Sequence, residues 1–75
     1  MKRVEVDSSM IAAVGYDAAS GEMEAVFHNG QVWRYQEVPE ETYTELLAAD
    51  SKGRYMRHAV IGIYPEYRVS RRRRG

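Results

Sequence analysis

The sequence predicts an α+β fold: a three-stranded antiparallel β-meander followed by two short helices packed on one face of the sheet. Three observations predict it. Three strand-like runs lie between Met10 and Glu37. His28-Asn29-Gly30, between the second and third runs, is the strongest hairpin signal in the chain. After Val38-Pro39 the apolar spacing becomes helical, with Tyr43, Leu46 and Leu47 at i, i+3 and i+4.

Val4-Glu5-Val6-Asp7 alternates before Ser8-Ser9 interrupts it. Met10 to Tyr16 is mostly apolar and small and reads as the first strand. Asp17-Ala18-Ala19-Ser20-Gly21 has turn chemistry, since Asp can bond its own backbone and Gly accepts positive φ. Glu22 to Phe27 is the second strand and Gln31 to Glu37 the third. A two-residue Asn29-Gly30 loop would split the aromatic residues between the two faces. A three-residue loop, His28-Asn29-Gly30 with Gly in the left-handed region, pairs Ala25 with Trp33 and Met23 with Tyr35. Met23, Ala25, Phe27, Trp33 and Tyr35 then share one face, so the three-residue loop with a bulge is expected. Trp33 and Tyr35 are expected in the core beneath the helices, the alternative being an exposed stacking platform.

Val38-Pro39-Glu40-Glu41 opens the first helix, because proline suits a first turn and glutamates suit the positive dipole end. Tyr43, Leu46 and Leu47 form its expected buried stripe. Ser51 is a plausible N-cap for a second helix, on which Tyr55, Met56, Ala59 and Val60 face the sheet. Gly62 ends that segment, and residues 63–69 are extended but ambiguous. Residues 1–69 are read as one domain. Ser70 to Gly75 carry Arg71–Arg74 and are expected to form a disordered basic tail.

A chain of 75 residues with no cysteine has one core and no disulfide, and a Cys-type zinc site is excluded. Such a core typically gives a stability of roughly 3–5 kcal/mol. No apolar run approaches a membrane span, and no apolar stretch follows Met1-Lys2-Arg3, so a cytoplasmic protein is expected. The net charge is zero, but the signs are segregated: residues 1–50 hold three basic and ten acidic residues, residues 51–75 eight basic and one acidic. That asymmetry points to a polyanion for the basic end, or to attraction between the halves in the fold.

The order of these features resembles the KTSC domain, a module named for its occurrence at the C-terminus of some lysyl-tRNA synthetases and also found alone in small bacterial and phage proteins. The matching stretches are Ser8-Ser9-Met10-Ile11-Ala12, Gly15-Tyr16-Asp17, Phe27-His28-Asn29-Gly30, Trp33-Arg34-Tyr35, Val38-Pro39-Glu40-Glu41 and Ser51-Lys52-Gly53-Arg54-Tyr55. Gly62 and Tyr64-Pro65 close the set. No single motif is specific; their order and spacing are. Two departures stand out. Trp33 takes the first place of a Tyr-x-Tyr motif, and Ile61 and Ile63 flank Gly62 where the family carries basic residues. The resemblance implies a small binding module with RNA as the expected partner.

Single strands are held by bases stacked on flat side chains and phosphates met by Lys or Arg. The expected nucleic-acid-binding set is Lys52, Arg54, Tyr55, Arg57, Tyr64, Tyr67 and Arg68, against the plainer reading that these tyrosines cover the core edge and the basic residues solubilise it. The Arg71–Arg74 run would add salt-dependent phosphate contacts without reading sequence. Ser8 and Ser9 could bond a ligand but are read as strand-break or turn residues, and His28 as a polar turn residue. His28 and His58 have no metal-ligand spacing, the glycines form no phosphate loop, and Glu40 and Glu41 point about 100° apart on a helix. A non-enzymatic module with no cofactor and no metal is therefore expected. The rival class is a protein-interaction module, homodimeric in one form, using Val26, Val32, Ile61 and Ile63.

Overall fold

The structure is a computed structural model and describes residues 1–69. The elements are β1 (Arg3–Glu5), β2 (Ile11–Asp17), β3 (Glu22–Phe27), β4 (Val32–Tyr35), α1 (Glu40–Ala48), α2 (Lys52–Ala59) and β5 (Glu66–Arg68). The α+β class holds, and the expected meander is β2-β3-β4. The sheet has five strands rather than three, in the order β1-β2-β3-β4-β5, all antiparallel. The two added strands are three residues each, too short for alternation to register as a pattern. Their partners define them: Gln36 N donates to the Pro65 carbonyl and Val69 N to the Val32 carbonyl, both at 2.8 Å. The expected Arg71–Arg74 tail lies outside the described residues.

Turn chemistry sets the register. Asp17 Oδ1 accepts from Ala19 N at 3.1 Å, and Gly21 takes φ 75°. At the next turn Phe27 N donates to the Gln31 carbonyl and Gly30 N to the Phe27 carbonyl, with Gly30 at φ 91°. This is the three-residue loop, and it pairs Met23 with Tyr35 and Ala25 with Trp33. On β2 the register shifts between Ile11 and Ala13, so Ile11 opposes Phe27 while Ala13 opposes Val26. The extra residue turns Ile11 onto the same face as Val14, where both are buried.

Both helices cover that face. Ile11, Val14, Met23, Ala25, Tyr35 and Val38 meet Leu46 of α1 and Met56 and Val60 beside α2 in one core. α2 follows its expected stripe: Met56 and Val60 are buried, and Tyr55 and Ala59 pack against the core. Ser51 caps it, its Oγ accepting from Arg54 N at 3.3 Å. On α1, Pro39 is the N-cap residue itself, and Glu40 and Glu41 occupy the first turn. The α1 stripe needs one correction, for Leu47 is 37% exposed. The buried face centres on Leu46, with Thr42 and Ala49 half-buried beside it. One residue on, Leu47 is rotated about 100° away from Leu46. Tyr43 is half-buried, its ring stacked on Tyr16 with centroids 5.1 Å apart.

The other face of the sheet carries no helix. Across it runs a row from every strand: Arg3, Gly15, Glu24, Arg34 and Tyr67. With no side chain on Gly15, Arg3 reaches over β2 to Glu24. Among the described residues, no helix is long and apolar enough to cross a membrane.

Candidate nucleic-acid interface

The seven expected binding residues fall into three places. Lys52, Arg54 and Arg57 come together on α2, in a groove of about 300 Å³ between that helix and the loop after β1. Tyr55 and Tyr64 are half-buried against the core edge. Tyr67 and Arg68 lie on β5, at the far edge of the sheet.

The tyrosines are tied by their hydroxyls to the first half of the chain. Tyr55 Oη donates to Glu45 at 2.7 Å, and Tyr67 Oη to Glu22 at 2.7 Å. The Tyr64 and Thr42 hydroxyls lie 3.2 Å apart. Burial, and then the carboxylate of Glu45, push the Tyr55 hydroxyl up to about 12, so it stays a neutral donor at ordinary pH. Arg68 pairs along the backbone with Trp33 and lines a shallow depression of about 700 Å³ with Arg3, Val26, Val32 and Val69.

The groove brings Ser8, Ser9 and Met10 against Ser51, Lys52, Gly53, Arg54 and Arg57, with Asp7 and Asp50 lining it as well. Ser8 shapes the loop, its Oγ accepting from Met10 N and Ile11 N, each at 3.2 Å. His28 anchors the loop from the hairpin side, its Nε2 lying 2.8 Å from the Ser8 carbonyl. Both residues keep the turn roles their sequence context suggests. A Cβ on Gly53 would lie 3.4 Å from Met10 Cβ and Sδ, so Met10 packs closely on the first turn of α2. Lys52 Nζ donates to the Ala49 carbonyl at 3.0 Å, and Arg57 Nη1 points to Met10 Sδ at 3.4 Å.

The ion pairs among the described residues all belong to the sheet: Arg3 with Glu24, Arg34 with Glu24 at 2.8 Å, and Arg34 with Glu22 at 3.8 Å. Glu24 is 1% exposed. Burial drives its carboxyl up, but hydrogen bonds and charge from Arg3 and Arg34 outweigh that and hold it below the ordinary value. None of these pairs joins the acidic first half to the basic second half. Lys52, Arg54 and Arg57 form no ion pair with a described carboxylate, although Asp7 and Asp50 line the same groove.

A second cleft, of about 310 Å³, adjoins the groove. Phe27, Asn29, Gln31, Trp33, Tyr35, Ile61 and Glu66 line it with Met10, which lines the groove as well. Tyr35 is core, as expected. Trp33 is only half-buried, packed in part against the core and open in part to this cleft. The expected set includes the cations of this groove but not Met10 or Gln31, since neither carries charge or aromaticity. The available signal was that Met10 continues the Ser8-Ser9 stretch.

The KTSC domain family model matches residues 7–64. An uncharacterized protein of Stutzerimonas stutzeri strain A1501 is 44% identical over 55 residues, covering 73% of this chain and 78% of that protein. A protein of Tsukamurella paurometabola is 45% identical over 51 residues, covering 68% of this chain and 76% of its own. The crystal structure of the KTSC domain protein YPO2434 from Yersinia pestis superimposes with a TM-score of 0.90 at 29% identity, over 92% of this chain and 97% of that one. The matched span takes in the whole groove, from Asp7 to Arg57, and on these likenesses the chain belongs to the KTSC domain family.

Proposed function

We propose that the protein is a small non-enzymatic binding module for single-stranded RNA, whose phosphates lie in the groove between the 7–10 loop and α2. One observation carries this reading: Lys52, Arg54 and Arg57 converge on one groove and pair with no carboxylate of a described residue. Asp7 and Asp50, which also line the groove, limit its cationic stretch, so it suits a phosphate or two rather than a long run of backbone. The Ser8 turn and the Ser51 cap fix both walls. Tyr67 and Arg68, on the far strand, belong to the rest of the surface and not to this groove.

Titration of the protein with a single-stranded RNA over a range of salt tests the reading. Each phosphate neutralised on a single strand contributes about −0.7 to the slope of log affinity against log salt. One or two engaged phosphates give a slope of about −0.7 to −1.4 by that rule. Binding that is absent at low salt, or indifferent to salt, overturns the reading.

A protein-interaction module is the second reading, and one observation favours it. Ile63 is 60% exposed, next to Gly62 and the half-buried Ile61. A molecular mass that rises with concentration, and does so equally in high salt, supports it.

A further inference from the structure

We propose that the cleft beside the groove receives one nucleobase of the bound strand, stacked against Trp33. This rests on the RNA-binding reading and adds a base site to its phosphate site.

The helix-free face of the sheet is the usual place to look for stacked bases, and here it is poorly suited. Its central row is an ionic network of Arg3, Glu24 and Arg34. Its one aromatic ring in that row, Tyr67, is tethered to Glu22. The larger depression on the sheet is lined by Arg3, Arg68, Gly30, Gln31 and three valines, none of these described residues being aromatic.

The Trp33 cleft has what that face lacks. The half-buried Phe27 and Trp33 supply flat apolar surface, and the buried Tyr35, with Ile61 from the turn after α2, completes the lining. Polar groups stand at its mouth. Asn29 Oδ1 accepts from Gln31 N at 2.9 Å, and Gln31 Oε1 accepts from Trp33 Nε1 at 3.1 Å. With both amide oxygens engaged, the two NH₂ groups remain as donors, and Glu66, whose Oε1 accepts from Gly62 N at 3.4 Å, has a second carboxylate oxygen as an acceptor. Donors and acceptors around a flat apolar slot are what the edge of an unstacked base requires.

The position of the cleft selects the occupant. Met10 forms a wall of both hollows and bridges to Arg57. A base in the cleft therefore leaves its own or the next phosphate at the cationic groove. An apolar peptide side chain would fill the cleft but leave Lys52, Arg54 and Arg57 unanswered. The charge beside the slot favours a nucleotide.

Trp33 is the sole tryptophan, so its emission reports directly on the cleft. The test compares a base-bearing RNA hexamer with an abasic hexamer of the same charge, both end-labelled, at low ionic strength. The expected result is that both bind, the base-bearing strand at least tenfold tighter, and that it alone quenches Trp33. Equal affinities with unchanged emission overturn the base site while leaving the phosphate groove standing. No binding of either strand overturns the groove and the base site together. Trp33→Leu, checked for folding by circular dichroism, is expected to bring the base-bearing strand down to the abasic affinity and leave the abasic strand unchanged. Should that variant not fold, the Trp33 emission of the unaltered protein decides alone.

Discussion

Arg34 and Arg57 are the same residue in opposite surroundings. Arg34, on β4, meets Glu24 and Glu22 and sits in the middle of the sheet's ionic row. Arg57, on α2, meets a methionine sulfur and no carboxylate among the described residues. The sequence places both near aromatic residues, and counting alone would rank them equally. What separates them is partnership: a guanidinium that already answers a buried carboxylate is part of the scaffold, and one without a carboxylate is available to a ligand. The charge asymmetry of the chain follows the same division, since the described ion pairs are all internal to the first half.

Substituting the two arginines is the hardest test of that contrast. Arg34→Ala leaves Glu24 buried with Arg3 as its remaining partner. Loss of one member of a buried pair costs about 3–5 kcal/mol. Partial exposure of both arginines brings the expected loss down to about 2–3 kcal/mol, read as a lower urea midpoint at unchanged slope. Arg57→Ala is expected to change stability by less than about 0.5 kcal/mol, as surface substitutions usually do, while weakening RNA binding several-fold. If the two effects come out reversed, the division into scaffold and ligand arginines is wrong.

Gly15 sharpens the contrast from the scaffold side. A Cβ there would lie 2.9 Å from the Lys2 carbonyl oxygen and 3.1 Å from Met1 Cγ. The nearer neighbour is backbone, so β1 must shift and carry Arg3 with it. Gly15→Ala is expected to cost about 1–2 kcal/mol by the usual scale of overpacking, with RNA affinity unchanged.

The smallest expected effect is in acid. The folded Glu24 carboxyl titrates below its ordinary value of 4.5. Its stabilising contribution is thus complete at neutral pH and is lost as pH falls through the folded value. Glu24→Gln removes that contribution. Its urea midpoint is expected to be lower than that of the unaltered protein at pH 7, and to fall less steeply between about pH 5 and 3.

Much of the fold was legible because its signals are local. The Asp17 turn, the three-residue hairpin with Gly30, and the Ser51 cap each involve residues a few positions apart. The hairpin register followed once one apolar face was required. The two edge strands escaped, since three residues show no period and their pairing is set by distant partners. Leu47 was misplaced because i+4 spacing from Tyr43 fits a stripe as well as Leu46 does; only the angle at which α1 meets the sheet decides between them. At the site, Lys52, Arg54 and Arg57 were legible as neighbours on one helix. Their separation from Tyr67 and Arg68 was not, because the turn at Gly62 sends the chain back to the sheet's other edge. The ionic row was equally hidden, since Arg3, Glu24 and Arg34 meet only once three strands are in register.

The order of the strands in space repeats their order along the chain, with one qualification. The first four can zip together hairpin by hairpin, a route with low loop-closure entropy. β5 must wait for both helices, because it closes Trp33 against Arg68 across everything between them. Pairings that span long loops tend to be last to form, and a three-residue edge is the least costly to release. The amide of Val69, bonded to the Val32 carbonyl, should therefore exchange with solvent deuterium well before those at the centre of β3.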